Sequence, residues 1–84
     1  MENITLRLDV LNDGQIVPLC YLTSKEQTIR VDRTLSYATV QNDDNSLSYI
    51  ITCRCGTRKV RFKLAPTSRG LICSIVDDLE YKQE

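Results

Sequence analysis

The sequence predicts an all-β fold: a small single-domain antiparallel barrel of SH3-like or OB-like type, or a two-layer sheet, with five to seven strands. Three observations carry this. Residues 47–55, LSYIITCRC, are rich in β-branched and aromatic side chains, and residues 58–64 alternate Val60, Phe62 and Leu64 with Lys59, Arg61 and Lys63. Between the two runs stands Gly56-Thr57, which suits a two-residue type II′ turn, because its first position needs a positive φ that glycine adopts without steric cost. On the preferred assignment no helix is long enough for a crossover, which removes parallel βαβ architecture.

Taken in order, residues 3–11 alternate Ile4, Leu6, Leu8 and Val10 with Thr5, Arg7 and Asp9, the pattern of a half-buried strand. Asn12-Asp13-Gly14 is a turn signal, and residues 15–23 form a second strand that closes a hairpin with the first. Pro18 has no amide to donate, so this strand belongs at an edge or carries a bulge. Ser24-Lys25-Glu26-Gln27 has the spacing of a capping box, yet Thr28, Ile29, Val31, Thr34, Thr39 and Val40 that follow are β-branched. A short turn followed by extended chain is expected there, with a helix over residues 25–38 as the competing assignment. Asn42-Asp43-Asp44-Asn45-Ser46 is a polar turn whose side chains can bond their own backbone.

The Gly56-Thr57 turn then fixes a register. It opposes Cys55 to Arg58, Cys53 to Val60, Ile51 to Phe62 and Tyr49 to Leu64, so the apolar positions of both strands share one face. Thr67-Ser68-Arg69-Gly70 reads as a four-residue loop on a type I turn, with Gly70 at positive φ, returning Leu71, Cys73 and Ile75 beside Pro66, Leu64 and Phe62. Residues 77–84, DDLEYKQE, read as an acidic tail, a frayed turn of helix at most.

With 84 residues, 42% apolar and 26% charged, the chain is one small domain, of a size that buries roughly 60–65% of its unfolded surface. No apolar run approaches the ~20 residues that cross a bilayer as a helix. Met1-Glu2-Asn3 lacks the basic flank of a signal peptide, so an intracellular, cytoplasmic protein without a membrane role is expected.

Four cysteines and no histidine bound the chemistry. Cys53-Arg54-Cys55-Gly56 resembles the knuckle of a zinc ribbon, but Cys20 and Cys73 stand alone, and a structural zinc site takes two pairs. Simple burial, no metal and no cofactor are expected, cysteine behaving as a small hydrophobe. Without histidine the commonest general base and metal ligand are both missing, no glycine-rich phosphate loop exists, and Asp43-Asp44 and Asp77-Asp78 fit no calcium-loop pattern and read as solvated surface. The chain is therefore expected not to be an enzyme, and no small-molecule substrate is indicated.

Charge is segmented around a net of zero. Residues 1–44 carry seven acids and four bases, residues 45–76 six bases and no acid, and residues 77–84 four acids and one base. The hairpin register gathers Arg54, Lys59, Arg61 and Lys63 on the face turned from the core, with Arg58 at the tip and Arg69 in the next turn. These six are the candidate partner-binding residues. The acidic tail folding back over them is the competing reading. The expected function is a non-catalytic binding module that docks an anionic partner, an acidic protein surface or a second copy of itself. A nucleic-acid-binding barrel is the alternative, weakened by the zero net charge and by an exposed face that offers at most Tyr21 or Tyr37 for stacking.

Overall fold

The computed structural model describes residues 2–80, and every regular element in it is a strand: β1 (Glu2–Val10), β2 (Ile16–Leu22), β3 (Thr28–Arg30), β4 (Arg33–Gln41), β5 (Leu47–Cys55), β6 (Arg58–Thr67) and β7 (Gly70–Glu80). They form one antiparallel sheet in the order β3-β2-β1-β7-β6-β5-β4, curled into a half-barrel. The competing helix over residues 25–38 is thereby excluded. β1 is shared, residues 2–4 pairing with β7 and residues 5–10 with β2. The two outermost strands, β3 and β4, are separated only by Val31 and Asp32, whose amides donate to the Leu19 carbonyl at 2.9 Å and the Arg54 carbonyl at 2.8 Å. The sheet edges thus meet at that corner.

The β5–β6 register is the expected one, from Cys55 opposite Arg58 to Tyr49 opposite Leu64. Gly56 has φ 63° while Thr57 stays at negative φ, as a type II′ turn requires. The β6–β7 register also agrees, with Leu64 opposite Cys73 and Phe62 opposite Ile75. The loop is tighter than expected, since Thr67 and Gly70 themselves pair and only Ser68 and Arg69 stand outside the strands.

The inward positions build the core: Tyr21, Val31, Ile51, Cys53, Cys55, Val60, Phe62 and Leu64 are buried, with Ile4, Leu6, Leu8, Ile16, Ile29, Cys73 and Ile75 packed around them. Tyr21 lies edge-on to Phe62 with ring centroids 5.2 Å apart. Such pairs add about 0.5–1.5 kcal/mol beyond area burial.

Three bulges decide which residues face in. Leu19 is skipped where β2 pairs with β1, Leu35 where β4 pairs with β5, and Val76 where β7 pairs with β6. Side chains alternate along a strand, so each extra residue reverses the alternation beyond it. Past Leu19, Tyr21 joins the inward face of Ile16 and Pro18, which corrects the expectation of an exposed Tyr21. Pro18 itself lies beside the bulge and beyond the reach of β3, which pairs only with residues 20–22. Past Val76, residues 77–80 run on as strand against residues 58–61. The expected helical fray is therefore corrected for those residues, and residues 81–84 lie outside the described ones.

Three of the connections share one geometry. At residues 11–15, 23–27 and 42–46 the first amide donates to the fifth carbonyl, the fourth amide donates back to the first carbonyl, and the fourth residue has positive φ. That position holds Gly14 (φ 87°), Asn45 (φ 69°) and, against preference, Glu26 (φ 62°). The expected side-chain bonds to the turn backbone are present: Asp13 accepts from the Gln15 amide at 2.9 Å and Asp44 from the Ser46 amide at 3.0 Å. The capping-box spacing at Ser24 is not used as such; Thr23 Oγ1 accepts from the Gln27 amide at 3.1 Å and closes the turn into β3.

Candidate functional site

On the outward face of β5 and β6 the register sets Arg54 beside Lys59, Thr52 beside Arg61 and Ile50 beside Lys63. β4 adds Arg33 opposite Arg54. Paired residues share a face, so Arg33, Arg54 and Lys59 form a row across three adjacent strands. Leu79, 59% exposed, continues the row on β7 as its apolar end. Arg33 is not among the residues proposed from sequence. The bulge at Leu35 hides it, since counting back from Val40 without a bulge would turn it inward.

Like charges on neighbouring strands repel mildly, and solvation makes the arrangement tolerable. The Arg54 guanidinium also donates from Nε to the Gly56 carbonyl at 3.2 Å, which holds it along the strand end.

Among the described residues, Arg58 and Arg61 are answered by carboxylates of β7. Arg61 donates to the Asp77 carboxylate at 3.0 Å. Arg58 donates through Nε to Asp78 Oδ1 and through NH2 to the Asp78 carbonyl at 3.0 Å, and its pKa is raised chiefly by that carboxylate. The reading of Asp77-Asp78 as merely solvated surface is thus corrected: both are partners of the hairpin. Exposed pairs of this kind are worth about 0–1 kcal/mol each, but they cancel charge locally. The acidic tail does fold back: of its described residues, Asp78 reaches Arg58 and Asp77 reaches Arg61. Arg69 lies in the β6–β7 turn, at the far end of β6 from Arg58, and does not join the row.

Burial disfavours the thiolate at Cys53, Cys55 and Cys73. Burial pushes Cys55 up to about 12, helped by Cys53, Asp32 and Asp78 nearby, and burial likewise raises Cys53 and Cys73. A thiol held protonated neither attacks nor ligates. Cys53 and Cys55 are buried as expected and Cys20 and Cys73 are half-buried, all four free. Among the described residues, no group of three or more cysteine or carboxylate side chains converges on a point where a metal could sit.

A cleft of about 400 Å³ opens where β4 diverges from β2, lined by Gln15, Ile16, Tyr37, Thr39, Tyr49 and Ile51. The Tyr37 hydroxyl crosses it to donate to the Ile16 carbonyl at 2.7 Å. Among the described residues no helix is long and apolar enough to cross a membrane. No protein-family model matches the chain, and no curated protein or solved structure matches it either.

Proposed function

We propose that this protein is a non-catalytic binding module that docks an acidic protein surface on the outward face of β4, β5 and β6. The observation that supports it is the row of Arg33, Arg54 and Lys59 across three adjacent strands, with Lys63 further along β6 on the same face. A polypeptide partner is favoured over nucleic acid because Tyr21 is buried in the core and Tyr37 faces inward, so neither offers the row a stacking platform. Leu79 at the end of the row supplies an apolar contact that a protein surface can use.

The test is a binding series with an acidic polypeptide, polyglutamate, and with single- and double-stranded DNA at several salt concentrations. The acidic polypeptide should bind, with salt acting mainly on association rate, and a variant with Arg33, Arg54, Lys59 and Lys63 replaced by Gln should fold normally and lose binding. A salt dependence of about 0.7–0.9 log units per contact with DNA, outcompeting polyglutamate, would establish the nucleic-acid reading instead. Equal binding by the Gln variant would make the face a solvated surface and nothing more.

A further inference from the structure

We propose that two copies of this chain pair through the free side of β4, antiparallel, about a two-fold axis at Ala38. β4 spans nine residues and among the described residues is paired on one side only, by β5, whereas the opposite edge of the sheet, β3, spans three. A strand paired on one side turns every second amide and carbonyl outward, and proteins blunt such edges with short length, charges, proline or bulges. β3 is blunted by its length. In β4, residues 34–41 (TLSYATVQ) contain no charge and no proline, and the bulge at Leu35 lies near one end, leaving Ser36 to Gln41 in regular register with β5. Tyr37 points to the inner face, toward Ile16, so backbone rather than side chain forms the edge.

Charge selects the second copy as the occupant. The edge begins at Arg33 and ends at Asp43-Asp44, all exposed, with nothing charged between. An antiparallel partner must therefore carry an acid facing Arg33 and a base facing Asp43, and β4 itself has that pattern when reversed. A parallel alignment would set like charge on like. With the axis at Ala38, Tyr37 pairs with Thr39 and Ser36 with Val40 of the second copy, each residue keeping its own face, and beyond the bulge at Leu35 the Arg33 end of each edge comes beside the Asp43-Asp44 turn of the other, the isologous geometry of a two-fold dimer. Tyr37 and Val40, 46% and 43% exposed, stand on this edge strand and lose water when it is covered. The proposal shares Arg33 with the basic row but rests on the free edge of β4 rather than on the sheet face, so Ala38→Lys tests it without altering a residue of the proposed docking face.

The experiment is sedimentation velocity on the purified chain alone across a wide concentration range. A monomer–dimer equilibrium is expected. Ala38→Lys, which sets two ammonium groups together on the axis, should weaken it by roughly tenfold or more. Arg33→Glu should weaken it as well, and Arg33→Glu combined with Asp43→Lys should restore it. These last two positions are exposed, so the charge reversal remains informative if Ala38→Lys fails to fold. A parent chain that stays monomeric at millimolar concentration overturns the proposal. So does a folded Ala38→Lys variant that dimerises as tightly as the parent, or a double reversal that recovers nothing.

Discussion

The Asp32 carboxylate accepts a 2.6 Å hydrogen bond from the Gly56 amide, across 24 positions of sequence. Asp32 sits at the corner where the sheet edges meet, and its own amide donates to the Arg54 carbonyl. Backbone and side chain of one residue therefore clamp the tip of the central hairpin to the junction between β3 and β4.

Removing that acceptor should be felt at both ends. Asp32→Ala is expected to cost about 1–2 kcal/mol, the range for a hydrogen bond to a charged group discounted for exposure, and Asp32→Asn less, because an amide oxygen still accepts. Urea unfolding of the three proteins checks this. Equal midpoints for the parent and the Ala variant would show that the bond contributes nothing.

Glu26 occupies the turn position that Gly14 and Asn45 fill in the two equivalent turns. A residue with a Cβ is strained at positive φ, so Glu26→Gly or Glu26→Asn should stabilise the protein by about 0.5–1 kcal/mol despite removing no contact. Thermal unfolding reads the result, and a lowered midpoint for both variants would refute it.

The raised cysteines set a sign on alkaline behaviour. Below the ordinary thiol value of 9.0 both folded and unfolded chains keep the proton. Above it the unfolded chain ionises while Cys55, pushed up to about 12, does not. The unfolded state then binds fewer protons, and stability falls as pH rises between these values, by at most ~1.4 kcal/mol per pH unit for each such thiol. Cys53 and Cys73 contribute in the same direction. Urea midpoints between about pH 9 and 11 should drop more steeply for the parent than for Cys55→Ala. Parallel slopes would contradict the assignment.

Much of this fold is legible in the sequence wherever alternation runs unbroken from a recognisable turn. Gly56-Thr57 and the facing runs on either side determine the β5–β6 register completely, and Gly70 carries it into β7. Legibility ends at the bulges. Leu19, Leu35 and Val76 are ordinary β-formers, and nothing in their side chains marks them as the extra residue. Yet each reverses every face beyond it, which is why Tyr21 reads as exposed, Arg33 goes unnoticed and Asp77 is not seen to lie beside Arg61. A bulge is settled by the fit of two strands together, and a single strand's pattern does not contain it.

The sharing of β1 between two partners bears on how the chain reaches this state. Each neighbouring pair from β4 to β7 closes through a short connection, whereas pairing Asn3 with Ser74 must close almost the whole chain. Closing a long loop costs entropy before its contacts repay it. The β5–β6–β7 meander should therefore be structured at the rate-limiting barrier, with the first residues of β1 docking on the downhill side. Gly56→Ala, strained at φ 63° with open space around its new methyl, should chiefly slow refolding, while Ile4→Ala should chiefly hasten unfolding. Stopped-flow chevrons of the two variants would display that division as a difference in which limb moves.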